Sequence, residues 1–209
     1  MVIGRVRASV PDAGVIVVDD GSTDETGAVA TRAGGLVIRH ARNVGKGAAL
    51  ATGIARALAD GAATILTLDA DGQHPPEALP LLFAQLAAAG VDLVLGARER
   101  SGAMPVSRRV TNWLSATIAS RIAGAPIPDA QTGLRAFTRR LAAEVAPRIS
   151  RYTRYEYEAA FLLTTLRAGY GVRSVTIPTI YDGQPSHFMS VADGWRVARV
   201  FARYLLGAP

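Results

Sequence analysis

Thr64-Ile65-Leu66-Thr67-Leu68-Asp69-Ala70-Asp71-Gly72-Gln73-His74-Pro75 is the stretch on which the fold turns. Its aliphatic, β-branched start, taken from Ala63 to Leu68, has the length and composition of a buried strand. Asp69 is the first residue off its end. Gly72 and Pro75 then break the chain before a helix expected over Pro76 to Ala89, where proline near a helix start loses no hydrogen bond.

The same grammar repeats outward in both directions. Val15-Ile16-Val17-Val18 reads as a strand that stops at Asp19-Asp20-Gly21, after which Ser22 or Thr23 should cap a helix carrying Asp24 and Glu25 in its first turn. Further strands are expected at Leu36 to Ile38, Val91 to Leu95 and Val172 to Ile177. Helices are expected at Lys46 to Asp60, Arg108 to Ala123, Tyr155 to Ala168 and Ala192 to Leu206. Strands alternating with helices predict an α/β fold with a mostly parallel sheet covered by helices. No repeat or linker interrupts residues 1–209, so a single domain is expected, with residues 190–209 forming a C-terminal amphipathic helix. In such sheets ligands gather at the carboxyl ends of the strands, and both acidic clusters lie there.

Composition narrows the function classes. With 209 residues, 49% of them hydrophobic, the chain is long enough for a real core. It has no cysteine, which excludes disulfides, thiol catalysis and cysteine-ligated zinc. No uninterrupted apolar run reaches bilayer length, and Met1 to Val10 lacks a secretory core, so a cytoplasmic protein is expected. The net charge of +6 comes almost entirely from arginine, Lys46 being the only lysine. Arginines crowd from Arg98 onward and include Arg108, Arg109 and Arg135. They suit a surface for anionic lipid or a phosphorylated substrate, or merely solvated helix faces. Zinc-finger, aromatic RNA-binding and basic-zipper patterns are absent, so no nucleic-acid partner is expected. A receiver-like phospho-acceptor pocket would need a later strand-end lysine, and none follows Lys46.

Four segments carry chemistry. Asp69 and Asp71, one residue apart at a strand tip, offer hard oxygen ligands for Mg²⁺ or Mn²⁺, with Gln73 as a neutral third; an ordinary aspartate-rich turn fits the same letters. Asp19 and Asp20 can accept hydrogen bonds from a base or ribose, or simply shape an Asp-Gly turn. Arg42-Asn43-Val44-Gly45-Lys46-Gly47 places glycines and a cation at a helix N-terminus, where anions bind, without the spacing of a P-loop. Asp129, in Asp129-Ala130-Gln131-Thr132-Gly133-Leu134-Arg135-Ala136-Phe137, is a candidate base ahead of a short strand.

In this order, VIVVDDGSTDET (15–26), RNVGKGAAL (42–50), LTLDADGQHPPE (66–77), DLVLGAR (92–98), DAQTGLRAF (129–137), RYEYEAAFLL (154–163) and IYDGQPSHF (180–188) resemble the family-two glycosyltransferases of the GT-A fold, in the branch of dolichol- and polyprenyl-phosphate sugar synthases. The resemblance implies a Rossmann-like three-layer αβα sandwich. It implies a nucleoside-diphosphate sugar donor and inverting transfer to a lipid phosphate, with Mg²⁺ or Mn²⁺ as cofactor. Asp19, Asp20, Lys46, Asp69, Ser186 and His187 would bind the donor, and Asp69, Asp71 and Gln73 the metal. Asp129 would be the base, and Arg98, Arg108 and Arg109 would hold the acceptor phosphate. Peripheral contact with the cytoplasmic membrane face, or a separate membrane partner, follows from a lipid acceptor. Two departures stand out. Asn112-Trp113-Leu114 occupies the place of an expected Ser-Arg-Gly, and the family's first strand with its PxYNE-like segment has no counterpart, since Val2, Ile3, Val6 and Val10 space like the tail of a helix. The neighbours of that strand should lack a ladder partner. The rival readings are a nucleotide-sugar binder without turnover and a transferase acting on a sugar hydroxyl.

Overall fold

The structure is a computed structural model that describes residues 2–98, 106–178 and 191–207, with 106–114 and 191 described by backbone alone. In chain order its elements are α1 (Val2–Ser9), β1 (Ile16–Asp19), α2 (Thr26–Arg32), β2 (Leu36–Arg39), α3 (Lys46–Ala59), β3 (Thr64–Thr67), a 3₁₀ turn (Pro76–Ala78), α4 (Leu79–Leu86), β4 (Leu93–Arg98), α5 (Val106–Ala123), β5 (Arg135–Thr138), α6 (Arg139–Arg148), α7 (Glu156–Arg167), β6 (Val172–Ile177) and α8 (Val191–Leu205). The strand–helix alternation read from the sequence is present.

The strands form two sheets. β1 and β2 pair in parallel, Ile16 opposite Leu36 and Asp19 opposite Arg39. The other four run in the order β3-β5-β4-β6. There β5 lies antiparallel to both β3 and β4, whereas β6 is parallel to β4. Three of these four strands therefore share a direction, but the sheet is not uniformly parallel, because β5 is threaded in reverse between β3 and β4. Among the described residues β1 pairs only with β2 and β3 only with β5, so each keeps one edge without a strand partner. Within the described residues, this break falls between the strands for which the sequence reading expects an absent ladder partner.

The core belongs to the larger sheet. Leu93 to Ala97 of β4 are buried throughout, as a strand covered on both faces must be. α7 is buried continuously from Glu156 to Thr165, and Phe161 stacks tilted on Phe137 of β5 with ring centroids 5.0 Å apart. The apolar side of α8 contributes Val197, Val200, Phe201 and Tyr204. α1 packs on the 3₁₀ turn, where Arg5 forms a bidentate pair with Glu77.

Several boundaries differ from the sequence reading for local reasons. The helix expected from Pro76 to Ala89 is a 3₁₀ turn followed by a shorter α4, since Pro80 removes a second amide inside the expected span. α2 starts later than Ser22 or Thr23 would place it. Ser22 donates its N–H to Asp19, and Asp24 instead accepts from the Thr26 N–H at 3.0 Å. α6 follows β5 without a loop, capped by the Thr138 hydroxyl accepting from the Leu141 N–H, and the sequence reading did not anticipate it.

Candidate active site

The tips of β1 and β3 and the start of α3 hold Asp19, Asp20, Lys46, Asp69, Asp71 and Gln73, half of the anticipated residues. Gly45 precedes α3 with φ 114°, a conformation glycine adopts without strain. A side chain at Gly45 or Gly47 would run into the backbone of Thr153, so both glycines let the start of α3 close on the segment leading into α7. Lys46, the first residue of α3, thereby reaches two carboxylates at once. Its ammonium lies 2.8 Å from Asp69 Oδ1 and 3.2 Å from Glu158 Oε2. Burial lowers the lysine's proton affinity, but Glu158 and Asp69 outweigh it and keep Lys46 charged, above its ordinary range. Burial likewise pushes the Asp69 carboxyl up, and Lys46 against it brings it below the usual carboxylate range. Glu158 ends above its ordinary value, because burial dominates over the attraction of Lys46.

Asp19 and Asp20 are both engaged at the end of β1. Asp19 is 2% exposed and accepts the Ser22 N–H, with Arg39 at 3.6 Å; its Oδ2 has no hydrogen-bond partner among the described residues. Asp20 accepts three hydrogen bonds, from His40 Nδ1 at 2.7 Å, Val44 N–H at 3.0 Å and Gly45 N–H at 2.8 Å. Asp20 thus fastens the glycine loop to β1. Of the two residues expected to face base and ribose, Asp20 has both oxygens engaged by the protein, whereas Asp19 keeps Oδ2 without a hydrogen-bond partner among the described residues.

Asp71 stands differently. It is exposed, and one of its oxygens accepts the Gln73 N–H at 3.0 Å. Behind it His74 is 3% exposed, with neither ring nitrogen hydrogen-bonded among the described residues and Nδ1 4.0 Å from Asp69. Burial lowers its proton affinity and favours the neutral ring. Among the described residues no three acidic or histidine groups gather into a protein-only metal cage. A nucleotide-bound Mg²⁺ or Mn²⁺ does not require one, since it takes one or two carboxylates and completes its shell with phosphate oxygens and water. The exposed Asp71 beside Gln73 and the half-buried Asp69 fits that donor set.

Asp129 is 6% exposed and clamped by Arg98, with Nε at 2.8 Å and Nη2 at 3.3 Å; it also accepts the Gln131 N–H. The candidate base and a candidate acceptor-phosphate arginine are therefore partners of each other. Arg108 and Arg109 lie on α5 with side chains outside the described residues, and Ser186 and His187 lie outside them altogether. Arg135 corrects the reading of the arginines as surface charge. It is 2% exposed and donates to the carbonyls of Ala130, Thr132 and Glu158. The sequence reading gave no role to Glu158 or His40. Glu158 has a weak signal, an acid inside the otherwise apolar run Tyr157 to Leu163; His40 had none, since its partners are 12 and 20 residues away.

The profile of Glycosyl transferase family 2 matches residues 3–146. The chain belongs to glycosyl transferase family 2. An uncharacterised protein of Methanocaldococcus jannaschii is 35% identical over 188 residues, 88% of this chain and 77% of that protein. The undecaprenyl-phosphate mannosyltransferase of Micrococcus luteus is 35% identical over 146 residues, 66% of this chain, and the match spans 59% of the mannosyltransferase. Glucosyl-3-phosphoglycerate synthase of Mycobacterium tuberculosis, solved with Mn²⁺, uridine diphosphate and glucosyl-3-phosphoglycerate, superposes with a TM-score of 0.72 at 23% identity, covering 100% of this chain and 75% of that one. The likeness establishes the GT-A α/β fold for this family-two glycosyltransferase. Among the described residues no helix is long and apolar enough to cross a membrane.

Proposed function

We propose that this family-two glycosyltransferase moves a sugar from a UDP- or GDP-type nucleotide sugar to a polyprenyl- or dolichyl-type lipid phosphate, with inversion, using Mg²⁺ or Mn²⁺. The observation that carries the reading is the pairing of a charged, half-buried Lys46 with Asp69 beside the open carboxylate of Asp71. Lys46 and the N-terminus of α3 supply positive potential for a diphosphate, and Asp71, Asp69 and Gln73 would hold the cation. When bound, the cation offsets charge on the departing diphosphate. A lipid phosphate is already an anion, so the acceptor needs orientation more than deprotonation. The undecaprenyl-phosphate substrate in the name of the Micrococcus luteus relative supports this acceptor class.

Asp129 decides between acceptors. A base for a sugar hydroxyl would have to take a proton on a carboxylate already gripped by Arg98. Asp129→Asn should therefore keep transfer to a polyprenyl phosphate near the wild-type rate, and a loss of roughly 100-fold would favour the hydroxyl acceptor. Asp71→Asn should abolish cation-dependent turnover of the donor in a nucleotide-release assay; full turnover in that variant would remove the metal assignment. The rival reading is a nucleotide-sugar binder without turnover, suggested by the edges of β1 and β3 that have no strand partner among the described residues; calorimetric binding without nucleotide release would establish it.

Helix α8 supports contact with an anionic membrane. Trp195 and Leu206 are 69% and 85% exposed, and Arg199 is exposed on the same flank. Trp195→Ser combined with Leu206→Ser should reduce flotation with anionic liposomes severalfold. Equal flotation of both proteins would reject the contact.

A further inference from the structure

His40 sits at the centre of a short relay that ends on Lys46. It follows β2, and its own N–H extends the β1–β2 ladder by donating to the Asp19 carbonyl at 2.9 Å. Its ring bridges two elements: Nδ1 is 2.7 Å from Asp20 Oδ1 and Nε2 is 3.0 Å from Thr52 Oγ1 on α3. An ionised carboxylate only accepts, so Nδ1 carries the proton towards Asp20; in the neutral ring Nε2 then accepts from the Thr52 hydroxyl. Asp20 in turn accepts the N–H groups of Val44 and Gly45, the two residues immediately before Lys46.

We infer that His40 is a positioning residue for the donor site, fixing Asp20 so that the Val44–Gly45 backbone presents Lys46 to Asp69 and to the donor diphosphate; the part concerning the donor rests on the function proposed above. Without the ring, Asp20 Oδ1 keeps only one amide and its rotamer is no longer set from the β2 side. Val44, which is exposed, and Gly45, which is buried, are then held by one fewer constraint at the entry to α3. Lys46 is sensitive to that loss, because its ammonium must meet Asp69 and Glu158 together. At metal sites, losing a group that orients a ligating side chain typically costs about 10-fold or more in affinity, and an effect of that order is expected here.

Asparagine and glutamine separate the two ends of the ring. Asn can still donate from near the place of Nδ1, and Gln reaches instead towards the place of Nε2. Full-length wild type, His40→Ala, His40→Asn and His40→Gln would be compared by calorimetric titration with UDP and with GDP in the presence of Mn²⁺. Amide exchange of Val44 and Gly45 would be measured in the nucleotide-free proteins, with thermal melts to confirm folding. The relay predicts about 10-fold weaker nucleotide binding and faster exchange at both amides in His40→Ala, substantial recovery of both in His40→Asn, and none in His40→Gln. Exchange at Val44 and Gly45 that is the same in His40→Ala and wild type overturns it, as does His40→Asn behaving like His40→Ala. A wild-type protein that binds neither nucleotide overturns the donor reading instead, and the exchange data still decide whether His40 holds the loop.

Discussion

The two sheets are made of similar residues and held very differently. Ile16, Val17 and Val18 of β1 are as apolar as Leu93, Val94 and Leu95 of β4, yet the first three are half-buried and the second three are fully enclosed. β4 has a strand on each side; β1 has one, and among the described residues Asp19 is the only buried residue of β1 and β2 together. Hydrophobic burial and ladder hydrogen bonds accumulate with neighbours, so strand composition alone does not set local stability. The functional consequence is uneven support, because Asp19, Asp20 and His40 stand on the weaker pair while Asp69 follows an edge strand of the stronger sheet.

The most severe test of this contrast is a pair of truncations. Phe161→Ala, emptying the contact with Phe137, should cost about 3–5 kcal/mol in denaturant unfolding, whereas Val17→Ala should cost about 1 kcal/mol. Equal losses would erase the distinction. Native-state amide exchange tests it without mutation: amides of β1 and β2 should exchange roughly 100-fold faster than those of β4 and β5, through openings short of global unfolding. Uniform protection would mean that the break between sheets has no thermodynamic weight.

A smaller effect should appear in acid. Asp19 is held below the ordinary aspartate range chiefly by its hydrogen bonds with Ser22; for Asp20, burial acts upward and is outweighed by His40 and the two loop amides. A depressed folded value contributes stability that is fully present above the unfolded value and lost as pH falls through the folded one. The β1–β2 pair should therefore loosen as the pH falls below about 4, the ordinary aspartate value, seen as a drop in the protection of its amides relative to their intrinsic exchange rates. Loosening on raising the pH from neutrality, with none in acid, would contradict the assigned partners.

What was legible in advance followed from local rules. Apolar runs ending in Asp19-Asp20 and in Asp69-Ala70-Asp71 mark strand tips because alternation of strand and helix is written in short windows. The glycines around Lys46 mark a close approach for the same reason. α6 carries no such local mark, because it follows β5 with no intervening turn, and Pro147 within it reads as a breaker. The pairing of Arg98 with Asp129 is not written in any short window, because it joins residues 31 apart, whose types are each compatible with several roles.

The sequence by itself determined the α/β alternation, the acidic strand tips and the cation at the start of α3, since these depend on periodicity, turn chemistry and capping within a few residues. Only the tertiary structure decided which carboxylates remain open. It left Asp71 exposed, tied Asp20 to a loop and Asp129 to an arginine, and buried Arg135 and Glu158 behind Lys46. The physical reason is that a side chain's hydrogen-bonding capacity is fixed by its chemistry, while the partner that uses it is fixed by where distant segments of the chain come to rest.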